Sequence, residues 1–289
     1  MSKMLPVCDI FINFAGLNLK PVVVARKLRQ QREKNDIIIM RLNDITRRLT
    51  PATLWLLVAN VVMFVATILL KQLGVIDLRW TLGAHYWGSE AFGVYQLLTS
   101  MFLHADLMHL FFNMFALFTF GPWVERAFGT KRFLVFYFVC GLGAGLVQEL
   151  VWQFTWQSMS VPVEVTEGGA TRVVDMAVTQ VLAEHPDWLN GILNSLCAIG
   201  ASGAMFGVML AFAVCFPNVP LYLFFIPVPI KAKWAVLGYG ALELAFGVSG
   251  TFSGVAHFAH LGGLLFGGLL IIIWLKTGTL KRNPYYGNT

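Results

Sequence analysis

Long apolar stretches separated by polar connections run through the chain, and their lengths predict membrane-crossing helices. The first extends from about Ala52 to Leu70, opened by Thr50 as N-cap and Pro51 in the first turn. That length suits a hydrocarbon layer needing ~20 residues. Further spans are predicted at about Leu97–Phe120, Phe133–Trp152, Ala198–Phe216, Trp234–Val248 and Val255–Leu275. The expected fold class is therefore all-α: a polytopic membrane protein with six transmembrane helices.

The connections differ in character. Residues 1–50 form a basic segment with one short apolar patch, Leu5 to Ala15, too short to span and lacking a clear cleavage site. Met40 precedes a basic lead into the first span and is a second candidate start of translation, which the intact mass of the native protein separates from Met1. Between Lys71 and Gln96 lies a loop dense in Trp80, Tyr86, Trp87, Phe92 and Tyr95, residues that settle at headgroup level. Residues 155–197 are a polar, water-facing insertion, with short amphipathic helices expected over Val173–Ala183 and Trp188–Leu196. Three prolines, Pro220, Pro227 and Pro229, stop the apolar stretch after the fourth span from being a regular helix. The domains expected are thus 1–50, a six-span unit over 51–276 and a tail over 277–289.

Composition agrees: 57% of the 289 residues are apolar and 12% charged, which excludes a soluble domain of this size. Cys8, Cys140, Cys197 and Cys215 have no paired spacing, so neither a disulfide framework nor a zinc site is expected. The net charge of +6 lies beside apolar spans and does not indicate nucleic acid. Of the 21 lysines and arginines, 18 fall on the side of the termini and 3 on the other, which predicts cytoplasmic termini. Ser202, His104, His109, His257 and His260 then lie at similar depth, near the outer ends of the second, fourth and sixth spans.

The chemistry centres on Gly200-Ala201-Ser202-Gly203, where one hydroxyl stands among small residues at the head of an apolar run. Gly203 and Gly207 are spaced for close helix approach, and Gly263 and Gly267 repeat that spacing on the sixth span. If the two stripes meet, Ser202 and His260 project to the same end of the contact, and an imidazole there can act as base for a weak nucleophile. His109 and Asn113 share one helical face, and their side chains, with the backbone N–H groups of Ala201 and Ser202, are candidate oxyanion donors. His104 points elsewhere and is expected to cap or anchor its helix. No acidic residue accompanies His260 on its helix, so a serine–histidine dyad is expected. His257 is the rival base, three residues earlier on the same face.

Three segments together, His104-Ala105-Asp106-Leu107-Met108-His109-Leu110-Phe111-Phe112-Asn113, Gly200-Ala201-Ser202-Gly203 and Ala259-His260-Leu261-Gly262-Gly263 with Gly267, resemble the rhomboid intramembrane serine proteases. The similarity runs from about Thr50 to Leu275. It implies a rhomboid-like six-helix bundle that cleaves transmembrane segments of other proteins within the lipid bilayer, without a metal or cofactor. It also implies Ser202 as nucleophile, His260 as base, and His109 with Asn113 as oxyanion donors. A bacterial cytoplasmic membrane is the expected setting, with the site opening to the extracytoplasmic side. Many family members carry Trp-Arg before the second span, where this chain has Tyr95-Gln96, so its first loop must be braced differently.

Other readings remain. A metalloprotease would need H-E-x-x-H, which is absent. A transporter would use intramembrane carboxylates such as Glu149 and Glu243, although Glu243 also fits a cross-helix bond. A non-catalytic rhomboid-like binder would usually lack the serine or the histidine. Substrate identity, oligomeric state, regulation and the role of the insertion are not encoded in any motif.

Overall fold

The computed structural model describes residues 49–167, 170–222, 228–249 and 256–280. The N-terminal apolar patch, the basic segment, Met40 and most of the tail lie outside them. Six longer helices carry the fold: α1 (Pro51–Gln72), α2 (Leu107–Phe128), α3 (Thr130–Thr155), α4 (Ser202–Cys215), α5 (Ala232–Ser249) and α6 (His257–Lys276).

Four helical stretches among the described residues are long and apolar enough to cross a membrane: Pro51–Gln72, Leu107–Phe128, Thr130–Ser158 and His257–Lys276. The other two expected spans fall short for separate reasons. Helix α4 is apolar but has only 14 residues, about 21 Å at 1.5 Å per residue. It lies centrally, with Gly203 through Val208 and Ala211 through Ala213 buried by its neighbours. Helix α5 has 18 residues, with Lys233 and Glu243 interrupting its apolar run.

Asp106, not His104, starts α2: its carboxylate accepts the His109 N–H at 2.8 Å, satisfying one of the orphan donors of the first turn. That same bond holds the Asp106 carboxyl below its usual value. The second span therefore begins about ten residues later than its apolar pattern predicts. Leu97 to Phe102 instead belong to a short helix, Gln96–Thr99, and a 3-10 turn, Ser100–Phe102. Helix α2 also continues through Pro122 to Phe128, where buried Glu125 meets the start of α1. Its carboxylate accepts the N–H groups of Ala52 at 3.0 Å and Thr53 at 2.8 Å, and the hydroxyl of Thr50. An anion at a helix N-terminus answers both the unpaired donors and the dipole.

The bundle packs through α1, α2, α3, α4 and α6, with Leu117, Phe133, Phe136, Met205 and Val208 wholly enclosed or nearly so. Three two-stranded sheets modify the all-α expectation. In the insertion, β2 (Ser160–Glu167) and β3 (Ala170–Ala177) form an antiparallel hairpin, so the helix expected from Val173 starts only at Val178 and runs to Glu184. A second short helix spans Leu189–Ser195. β1 (Ala84–His85) pairs with β4 (Cys197–Ala198), tying the first loop to the segment just before Ser202. β5 (Pro220–Leu221) pairs with β6 (Ile230–Lys231), closing the proline-rich connection.

Gln96 braces the first loop. Fully buried, it accepts the N–H groups of His85 and Gly93 and donates to the carbonyls of Thr81 and Ala91. Tyr95 adds its hydroxyl to the Thr81 carbonyl at 3.2 Å. One side chain thus gathers both limbs of the loop. Glu149 accepts the Trp87 N–H at 2.8 Å, a structural use of the buried carboxylate that weakens the transporter reading. The free thiol of Cys140 packs against the glycine stripes of α4 and α6.

Candidate active site

The glycine stripes of α4 and α6 meet at backbone contact. A Cβ built on Gly263 would lie 1.9 Å from the Gly203 carbonyl oxygen, and one on Gly207 would lie 3.1 Å from the Gly263 carbonyl oxygen. No L side chain fits the first of these positions, so the two axes approach as closely as backbones allow. Helix α3 closes the third side, since Ala144 fills the space a side chain on Gly203 would need.

Ser202 opens α4 and His260 sits in the first turn of α6, so this contact brings their side chains together. His260 Nε2 lies 2.8 Å from Ser202 Oγ. The imidazole stacks on Phe206, one turn after Ser202, with centroids 4.4 Å apart and an interplanar angle of 11°. Tilting of the ring out of its plane is thereby blocked on one face.

Gly200 holds φ +134°, a backbone region that side chains disfavour, and its N–H bonds the Ser100 carbonyl at 2.9 Å. His109 fills the space above it: a Cβ on Gly200 would meet His109 Nε2 at 2.8 Å. The Ala105 N–H donates to His109 Nδ1 at 3.3 Å, which leaves the proton of the neutral ring on Nε2, the nitrogen next to Gly200. Asn113 is buried one turn below and donates one amide N–H to the His109 carbonyl at 3.1 Å, keeping a second donor. The first-turn N–H groups of α4 lack carbonyl partners in their own helix and face this end of the bundle. His104 is buried with its ring edge-on to His109, centroids 5.0 Å apart. Burial, with the charge of His109, pushes its imidazole down to about 4.

His257 pairs with a carboxylate. Its Nδ1 lies 2.6 Å from Glu243 Oε2, on α5. The same oxygen lies 3.0 Å from His260 Nδ1. No acidic residue stands on the helix of His260, as expected, but a carboxylate from a neighbouring helix lies beside its ring. One ligand atom each from Glu243, His257 and His260 falls within 4.8 Å of the others, close enough for a metal ion in principle. Only the His257 contact is a hydrogen bond; His260 Nδ1, though 3.0 Å from the same oxygen, is buried without one. Reading motifs along the chain misses Glu243 and Phe206 as neighbours of the imidazole; Phe206 could have been found from its four-residue spacing to Ser202.

The rhomboid domain family matches residues 91–277. Rhomboid protease AarA of Providencia stuartii is 28% identical over 186 residues, covering 61% of this chain and 54% of the relative. RHOMBOID-like protein 6, mitochondrial, of Arabidopsis thaliana is 27% identical over 224 residues, covering 75% and 55%. Another Arabidopsis relative, named inactive RHOMBOID-like protein 8, is 29% identical over 111 residues, covering 38% and 30%. The chain spans about half the length of the first two. With the match running through every residue of the polar cluster and the helices that position it, the chain belongs to the rhomboid family.

Proposed function

We propose that the protein is an intramembrane serine endopeptidase that hydrolyses peptide bonds in or near transmembrane segments of other proteins. The observation that carries this reading is the 2.8 Å approach of His260 Nε2 to Ser202 Oγ at the head of a tightly packed helix pair.

His260 takes the Ser202 proton as the oxygen attacks the substrate carbonyl, and the electron pair of that carbonyl moves onto its oxygen. His109 Nε2–H, the free amide N–H of Asn113 and the backbone N–H groups of Ala201 and Ser202 stabilise the oxyanion. The imidazolium then gives its proton to the leaving amine, and water, activated by the same ring, hydrolyses the acyl-enzyme. No metal or cofactor enters these steps. In this reading all six long helices cross the bilayer of a bacterial cytoplasmic membrane, with termini inside and Ser202 near the outer surface. Substrate enters sideways past α5 and unwinds, because a helical peptide bond is shielded by its own hydrogen bonds.

The test is turnover of a fluorescent transmembrane substrate by protein in liposomes. Ser202→Ala and His260→Ala should each abolish cleavage while His257→Ala retains it. Loss with His257→Ala alone would reassign the base, and activity in Ser202→Ala would end the serine-protease reading. Cleavage by none of them, parent included, would favour a non-catalytic binder.

A further inference from the structure

Glu243 is a carboxylate among apolar side chains on a helix of a membrane protein, where an ionised group is costly unless it is paired. Its side chain is only 14% exposed, and both of its close partners are histidines of α6. His257 donates from Nδ1 at 2.6 Å, which holds Oε2 in place. That oxygen then lies 3.0 Å from Nδ1 of His260, whose opposite nitrogen is on Ser202. Phe206 fixes the plane of the ring between the two contacts.

We propose that Glu243 is a positioning residue for His260, so that the hydrolytic site is a serine–histidine–carboxylate relay assembled from α4, α6 and α5. This rests on the protease reading above. For His260 to accept a proton at Nε2, its own proton must reside on Nδ1, a buried atom with no hydrogen bond in the resting arrangement. Glu243 Oε2, at 3.0 Å, is the carboxylate oxygen that faces it, and the bond closes as the ring takes up charge. During attack the O–H bond of Ser202 breaks, an N–H bond forms at Nε2, and the oxygen's electron pair forms the bond to the substrate carbonyl carbon. The Nδ1 proton stays where it is, and Glu243 stays ionised beside the imidazolium. The attraction is greatest when the ring is charged, so it favours the transition state over the resting state. Because Glu243 belongs to α5, the relay is complete only while that helix lies against α6.

The bland reading is a clasp in which Glu243 merely holds α5 to α6. The two differ in what His257 should do, since its removal loosens the clasp but leaves the His260 contact. The experiment measures the rate of fluorophosphonate labelling of the detergent-solubilised full chain, together with kcat and KM for a transmembrane substrate. A triad carboxylate changed to its amide costs about 10⁴-fold in kcat in a water-soluble protease; here Glu243→Gln should slow labelling and kcat by at least about 30-fold, leave KM within about twofold, and lose much more than His257→Ala. Glu243→Asp should recover part of the loss. Equal losses in Glu243→Gln and His257→Ala, or a parental rate in Glu243→Gln, would overturn the relay. Labelling of the parent that vanishes on metal chelation would assign the three side chains to a metal and overturn it too.

Should the Gln variant not fold, ¹⁵N NMR of histidine-labelled parent, with the His260 signal identified by its loss in His260→Ala, reads the tautomer directly. A proton on Nδ1 supports the relay, and one on Nε2 sinks it. Parent protein that labels at Ser202 while these results go against Glu243 defeats the relay alone; parent protein with no Ser202-dependent labelling defeats the protease reading with it.

Discussion

Two of the contacts that helix α6 makes at the site, with α4 and with α5, are built differently. Against α4, backbone meets backbone: a Cβ on Gly263 would lie 1.9 Å from a carbonyl oxygen that no rotamer change can move. Against α5, the corresponding glycines face side chains: a Cβ on Gly240 would meet Leu264 Cδ1 at 3.1 Å, and one on Gly247 the Phe258 ring at 3.1 Å and His257 Cβ at 3.3 Å. The buried residues of α5, Ala232, Ala235 and Val236, all lie near its first turns, and Leu242, Leu244 and Val248 are exposed farther on. A contact between backbones has a single register and sets the Ser202–His260 distance. One between side chains has no such fixed register, and there the carboxylate of Glu243 adds its approaches to His257 and His260.

The largest effect should come from breaking the rigid side. Gly263→Ala should cost at least about 3 kcal/mol, the upper end of overpacking, because the obstruction is a carbonyl. A fall in melting temperature in detergent, with loss of fluorophosphonate labelling, would show it; a variant as stable and reactive as the parent would mean the helices are farther apart than described.

Next is the brace behind that contact. Gln96→Ala strands two N–H donors and two carbonyls of the first loop and should cost about 1–3 kcal/mol while Ser202 remains reactive. Melting and labelling measured on the same sample separate the two outcomes.

A smaller effect follows from His104, which packs against His109 on the same side. Its imidazole is pushed down to about 4 from the ordinary 6.5, chiefly by burial. Between those values the unfolded chain binds the proton and the folded chain does not, so stability must rise with pH across that window and be lost as pH falls through it. His104→Phe should flatten the pH dependence of the melting temperature between about 4 and 6.5, the window set by this linkage.

The smallest change is expected on the loose side. Gly240→Ala meets only a leucine methyl, which can turn aside, and the gain in helix propensity of about 0.5–1 kcal/mol should leave it neutral or slightly stabilising. A Gly240→Ala variant as damaging as Gly263→Ala would erase the contrast between the two contacts.

What could be read from the chain follows the same division. Glycines spaced by four on two apolar runs mark a close helix contact because only that geometry requires them, and Ser202 and His260 stand at its head. The Glu243–His260 approach leaves no such mark, since nothing local says that two positions seventeen residues apart, on different helices, come together. The start of α2 departs from the apolar pattern because Leu97 to Phe102 are as apolar as a span, although Asp106 before the next apolar run is a recognisable N-cap. The first strand of the insertion's hairpin is legible in the chain: Val161, Val163 and Val165 alternate with polar or turn-forming residues, a period of two rather than of a helix. The role of Gln96 required the folded loop, which shows one amide serving both of its limbs.

The central claim is that Ser202 is a nucleophile activated by His260, and a mechanism-based probe tests it most directly. Detergent-solubilised protein treated with a fluorophosphonate and digested for mass spectrometry should carry the adduct on Ser202, with labelling lost in Ser202→Ala and in His260→Ala. Adduct on another residue, or undiminished labelling in either variant, would contradict it.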